Sequence, residues 1–181
     1  MIDKRELRAA MRAERLRLAA LEPGAAARAA GHAARLPVAG LTAVYHAIGT
    51  ELDALPLARA LLEAGRALCL PVAVDRDGPM IFRRWTPGDP LEADPAGVPG
   101  PLPLAEAVVP DLILTPLLAF DARGWRLGQG GGHYDRTFAA TPHAVRIGLA
   151  YAGQEVAGLP VEAHDVRLHG VLTEVGYRPF E

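Results

Sequence analysis

The stretch PDLILTPLLAF (Pro110–Phe120) is apolar almost without interruption, and it leads into GWRLGQGGGHYDR (Gly124–Arg136), which holds five glycines within nine residues. An apolar run without alternation predicts a strand buried on both faces, the mark of a sheet covered by helices. The glycines that follow disfavour helix and strand interior, so the strand must empty into a loop. Other apolar runs read as strands: LTAVYHAI (Leu41–Ile48), ALCLPVAV (Ala67–Val74), MIFRRW (Met80–Trp85), VRIGLAY (Val145–Tyr151) and GVLTEV (Gly170–Val175). Helical spacing predicts helices over residues 3–21, from about Pro23 to Arg35, and over Leu55–Ala64 with Gly65 as its stop. Residues Thr86–Pro103 are rich in proline and glycine and read as a long ordered loop, a length more often functional than idle. Together these predict an α/β fold with three layers. An open, mostly parallel sheet carries helices on both faces, and the N-terminal helices pack against it, in a single domain over residues 1–181.

Composition narrows the function. The chain has no serine and no asparagine, which removes a Ser-His-Asp triad and N-glycosylation. Its one cysteine, Cys69, lies in an apolar run and reads as a core thiol. No apolar run approaches the roughly 18–20 residues needed to span a membrane, and the N-terminus is charged from its third residue, so a cytoplasmic protein is expected. A net charge of −2 gives no reason to expect general nucleic-acid binding. Of 19 basic residues only Lys4 is lysine; chance is the ordinary reading, and a requirement for a compact ammonium there is the sharper one. Lys4, Arg8, Arg12 and Arg15 form a basic stripe at helical spacing, for which a solvated face is the ordinary reading and RNA binding the sharper one.

The glycine loop is built for phosphate. Glycines allow successive N–H groups to converge on phosphate oxygens. Arg126 adds a fork able to take two of those oxygens, and Asp135 is placed to hold Mg²⁺. A Walker loop is excluded because His133-Tyr134 follows the last glycine where Lys-Ser/Thr is needed. A dinucleotide fingerprint fails as well, since its third glycine would be His133.

FDARGWRLGQGGGHYDR (Phe120–Arg136) resembles the signature of the 5-formyltetrahydrofolate cyclo-ligases, also called methenyltetrahydrofolate synthetases. KRELR (Lys4–Arg8), YHAIGTELD (Tyr45–Asp53), PDLILTPLLAFD (Pro110–Asp121), Gln154, EAHD (Glu162–Asp165) and VLTE (Val171–Glu174) match further family motifs in order. The resemblance implies ATP- and Mg²⁺-dependent closure of 5-formyltetrahydrofolate to 5,10-methenyltetrahydrofolate, with release of ADP and phosphate. By that likeness Lys4, Arg8, Arg126, Leu127, Gly128, Gln129, Gly130, Gly131, Gly132, His133 and Tyr134 would bind ATP. His46, Glu51 and the segment Gln129–Tyr134 would bind the folate, Arg126 and Tyr134 would serve catalysis, and Asp135 and Asp165 would hold Mg²⁺. A monomer or weak homodimer is expected, acting on small molecules. The alternative is a paralogue that binds folate or nucleotide without turnover.

Other readings stay open on the residues alone. Glu51 could be a strand-end acid capping the next helix. His164 and His169 flank Asp165, but with no third ligand in the cluster zinc is set aside. Trp85 and Trp125 read as core or pocket wall. His133 stands where relatives often carry a tyrosine, and Gly100-Pro101 where they often carry Glu-Pro.

Overall fold

The computed structural model describes residues 3–181. Helix α1 (Lys4–Leu21) starts where predicted because Asp3 caps it, its carboxylate accepting the N–H of Arg5. The second helix is shorter than expected. α2 covers Ala25–Ala30, and a 3₁₀ turn covers Ala33–Arg35. At Gly31 the N–H is shared between the carbonyls of Ala27 and Arg28, so the helix tightens to i→i+3 bonding just where its weakest former sits. α3 (Leu55–Glu63) has a proline in its first turn and buries Leu57, Ala58 and Leu61.

An eight-stranded sheet forms the middle layer, in the order β13-β12-β10-β7-β1-β2-β3-β6. Its central strands, β12 (Gly170–Leu172), β10 (Val145–Leu149), β7 (Leu112–Thr115), β1 (Leu41–Ala43) and β2 (Ala67–Val72), run parallel. β13 (Tyr177–Pro179), β3 (Ile81–Arg84) and β6 (Ala107–Val108) add antiparallel edges. Side chains alternate across this sheet. Leu68, Leu70, Leu112 and Leu114 pack with α2 and α3 on one face. Ala43, Cys69 and Ile113 pack with Phe138 of α4 (His133–Ala140) on the other. Burial on both faces is what the unbroken apolar runs required. Cys69 is fully buried as expected, and burial pushes its thiol up to about 12.

Two departures bear on the site. The strand from Leu41 stops at Ala43, and residues 44–48 leave the ladder to form a wall beyond its end. The expected long loop holds a hairpin instead, β4 (Leu91–Ala93) with β5 (Pro99–Pro101). Asp94 makes its turn: one carboxylate oxygen accepts the N–H groups of Ala96 and Val98, and the other accepts that of Ala73 beyond β2. Gly100 lies against β2, where a Cβ would come 3.2 Å from a methyl of Val72. A larger residue at this place would need that methyl to give by a few tenths of an ångström.

A three-stranded sheet joins β8 (Ala119–Asp121), β9 (Arg126–Leu127) and β11 (Glu155–Val156) over Met11, Leu118 and Leu159. Asp121 is fully buried, and its oxygens accept the N–H groups of Arg123, Trp125 and Leu159. It is a structural acid that shapes the turn from β8 to β9 and so aims Arg126. Among the described residues no helix is long and apolar enough to cross a membrane.

Candidate active site

A cavity of about 310 Å³ opens beyond the carboxyl ends of β1, β2 and β7, where α/β sheets place their ligands. Every residue expected at the site lines it: Lys4, Arg8, His46, Glu51, Arg126 to Tyr134, Asp135 and Asp165. They come from α1, the wall after β1, the loop before α4, and the turn at Glu162–Asp165.

The glycine loop connects β9 to α4. Gly130 (φ 107°) and Gly132 (φ 69°) take left-handed conformations that other residues rarely adopt. Gly132 stands at the N-cap of α4 and supplies no side-chain oxygen to the first-turn N–H groups. Those donors, with the positive end of the helix, face the cavity as an anion cradle. Three side chains of α1 hold this end of the cavity in place. Arg8 Nε donates to the Gly128 carbonyl (3.0 Å), and Arg12 Nε donates to Gln129 Oε1 (2.9 Å). Lys4 Nζ lies 2.9 Å from Asp165 and 3.4 Å from Glu162. The basic stripe is therefore a set of clamps, and only part of it faces solvent.

Arg126 is less free than the sequence suggests. Its side chain is 6% exposed, and two ends of its fork are engaged: Nη1 donates to the Val166 carbonyl (2.8 Å) and Nη2 pairs with Asp135 (3.0 Å). Beneath it lies the ring of Phe138 at 4.7 Å, which Tyr134 also packs against. Asp135 also accepts the N–H of Val166, so one carboxylate ties α4, β9 and the loop after Asp165 together. Burial lowers the pKa of Arg126, and Asp135 counters that shift by favouring the cation. Burial also raises the Tyr134 phenol well above its ordinary range, so it stays a neutral donor. Asp165 is pushed up by burial, but the Lys4 hydrogen bond, the Glu162 N–H and the charges of Lys4 and His164 hold it below the usual carboxylate value.

At the other end of the cavity Glu51 does not cap α3. Its carboxylate turns back to accept the N–H of Ile48 (3.0 Å), while Asp53 accepts the N–H of Leu55 at the helix start. Burial raises the Glu51 pKa above its ordinary 4.5. Tyr45 is buried beside it and donates its hydroxyl to the Leu52 carbonyl. Apolar wall comes from Pro71, Met80, Val98 and Pro99, the last two from the unexpected hairpin.

Arg15 departs from expectation. It is 5% exposed rather than solvated, lies between Met11 and Leu18 on the buried face of α1, and lines the cavity. Its position four residues after Met11 and three before Leu18 was the available signal: a charge within the apolar stripe. The hairpin residues carry no such signal, because they reach the cavity only through pairing across the Asp94 turn. Trp85 is buried core, and Trp125 packs under the small sheet, so neither lines this cavity. His133 makes only a long contact of 3.4 Å with the Asp75 carbonyl.

The zinc reading changes in one respect. Glu162 joins His164 and Asp165 as a third ligand group, with donor atoms within 4.8 Å of one another. His169 is not part of it, since its Nδ1 accepts the N–H of Arg146. Oxygen donors dominate the cavity's carboxylate end, Asp135, Glu162 and Asp165, which suits a hard cation better than zinc.

Residues 1–174 match the family model described as the 5-formyltetrahydrofolate cyclo-ligase family. The chain is 36% identical over 143 residues to the 5-formyltetrahydrofolate cyclo-ligase of Escherichia coli K12, covering 75% of this chain and 79% of that one. It is 35% identical over 164 residues to the Mycolicibacterium smegmatis 5-formyltetrahydrofolate cyclo-ligase, covering 85% and 84%. The fold superposes on the NMR structure of the Aquifex aeolicus 5,10-methenyltetrahydrofolate synthetase with a TM-score of 0.81 and 28% identity, over 98% of this chain and 93% of that one. On the fold, the assembled cavity and these likenesses, the chain belongs to the 5-formyltetrahydrofolate cyclo-ligase family.

Proposed function

We propose that this chain, acting as a single domain, is the ATP-dependent 5-formyltetrahydrofolate cyclo-ligase that its family implies, a cytoplasmic enzyme working as a monomer or weak homodimer. One observation carries the residue assignment. A single cavity has cations and a glycine cradle at one end, and a half-buried carboxylate with an apolar wall at the other. A polyphosphate fits the first end and a pterin the second. The formyl oxygen then lies between them, within reach of a γ-phosphoryl group.

In this reading Lys4, Arg8 and the N–H groups from Gly128 to Tyr134 grip the triphosphate. Glu51 accepts hydrogen bonds from the amino edge of the pterin, and Tyr134 lines the boundary between the two ligands. The γ-phosphoryl group passes to the formyl oxygen as its bond to ADP breaks. N10 attacks the activated carbon and loses its proton, and the C–O bond breaks to release phosphate and leave the methenyl bridge. No protein nucleophile is needed, so the residues act by position and charge. Asp135 and Asp165 are the carboxylates that would hold Mg²⁺, which neutralises polyphosphate charge when bound. Arg126 fixes Asp135 and adds positive charge beside the transferring group.

The test is direct. With ATP, Mg²⁺ and 5-formyltetrahydrofolate, the near-ultraviolet absorbance of the methenyl product should rise in step with ADP release. Binding of both ligands without either signal would instead favour a non-catalytic paralogue.

A further inference from the structure

Arg15 is a buried cation that no part of this reading uses. A guanidinium carries five N–H donors. Here Nε donates to Thr50 Oγ1 and Nη1 donates to the Leu117 carbonyl, both at 3.1 Å. The other three N–H groups have no acceptor among the described residues, yet the side chain lines the cavity at the end where Tyr45 and Glu51 stand. Its charge is close enough to that of Glu51 to be stabilised by it against the cost of burial.

The chemistry of the pterin edge makes that placement specific. Its 2-amino group and N3–H are donors, which a carboxylate such as Glu51 can accept. The adjacent O4 is an acceptor, and a carboxylate cannot serve it. Near Glu51 the Tyr45 hydroxyl is engaged with Leu52, and the Ile48 N–H is engaged with Glu51 itself. Lys4, Arg8 and Arg126 belong to the phosphate end. His46 is exposed and the Tyr134 phenol is neutral, which leaves Arg15 as the buried cationic donor at this end.

We propose that Arg15 donates to the O4 carbonyl of the bound pterin and so makes the enzyme specific for 4-oxo over 4-amino pteridines. The proposal rests on the reading of the cavity as a 5-formyltetrahydrofolate site. Its bonds to Thr50, next to Glu51, and to Leu117 hold the guanidinium still, so donor and acceptor face the ring as a matched pair.

The probe is 5-formyltetrahydrofolate against its 4-amino-4-deoxy analogue, in which O4 is replaced by a donating amino group. Titration calorimetry gives the ratio of Kd values, and turnover gives the ratio of kcat/KM. The wild-type protein should prefer the 4-oxo compound by about 10-fold or more, because a buried donor facing a donor is left unpaired. In Arg15→Met the ratio should fall to within about 3-fold while KM for ATP holds steady, a split that general loosening would not produce. Arg15→Lys, which keeps a donor on a flexible stem, should retain an intermediate ratio and serves as the test if the methionine variant does not fold by circular dichroism. An unchanged ratio in the variant, or a wild-type ratio near one, overturns the proposal. Failure of the wild-type protein to bind 5-formyltetrahydrofolate at all would overturn the functional reading instead.

Discussion

Lys4 and Asp165 stand 161 positions apart in the chain, and their side chains meet at 2.9 Å to close one end of the active-site cavity. This pair joins the first turn of α1 to the turn that carries the candidate metal carboxylate. It sets the cation proposed to grip phosphate directly against the carboxylate proposed to hold Mg²⁺. In the proposed reading a divalent cation and the ammonium would compete for Asp165, and a triphosphate would relieve that competition by taking the ammonium.

Lys4→Met should weaken binding of a non-hydrolysable ATP analogue by about 10- to 100-fold, the loss expected for a charge-assisted hydrogen bond to phosphate. The same variant should bind free Mn²⁺ more tightly than wild type in the absence of nucleotide. Lys4→Arg should not restore wild-type behaviour, since a planar fork cannot replace a compact ammonium between Glu162 and Asp165. Calorimetry with each ligand separately distinguishes these outcomes, and equal Mn²⁺ affinity in wild type and Lys4→Met would remove the competition.

Glu51 gives the pH dependence. Burial raises its pKa above 4.5, so the carboxylate remains protonated to a higher pH than an exposed glutamate. In the proposed reading its ionised form accepts the two pterin donors. Substrate affinity should therefore rise with pH through that raised pKa and level off above it. Glu51→Gln should abolish this limb of the kcat/KM profile and lower kcat/KM by about 100-fold, as loss of a charged acceptor to a buried edge predicts. A profile of the same shape in the variant would assign the limb elsewhere.

Gly132→Ala should cost stability and nucleotide binding together. The residue has φ 69°, and an added Cβ would lie 2.7 Å from a guanidinium nitrogen of Arg136. Left-handed backbone costs a non-glycine residue about 1–2 kcal/mol. The melting temperature should drop by several degrees, and Kd for the ATP analogue should rise as the first turn of α4 shifts. A melting temperature equal to wild type would show that Arg136 moves aside without cost.

Phe138→Ala tests the support beneath the site. The ring is 1% exposed and carries Arg126 on its face and Tyr134 at its side. Truncating a buried phenylalanine costs about 3–5 kcal/mol, so chemical denaturation should show a loss in that range. Any folded fraction should bind nucleotide poorly, because Arg126 loses the surface that aims it.

The sheet was legible because its central strands are buried on both faces, and that condition writes itself into Leu112–Thr115 and Ala67–Val72 as continuous apolar runs. The glycine loop was legible for a similar reason: Gly130 and Gly132 adopt backbone conformations that few other residues tolerate, so their identity reports their geometry. Family likeness supplied the expected roles of Lys4, Asp165 and Glu51, which no local pattern contains, whereas the contact between Lys4 and Asp165 was visible only in the structure. The hairpin of Leu91–Ala93 and Pro99–Pro101 was read as loop because its prolines donate no ladder bonds and its turn is made by one side chain, Asp94.

Sequence alone determined which residue types were available: one lysine, one glycine cradle, no serine nucleophile and a parallel core. Tertiary structure alone decided which charges are free to act. Arg126 is committed to Asp135 and Val166, Arg15 is buried with donors to spare, and Glu162 joins Asp165. Those outcomes depend on burial and on partners far away in the chain. Local spacing cannot encode either, because the energy of a charge is set by what surrounds it after folding.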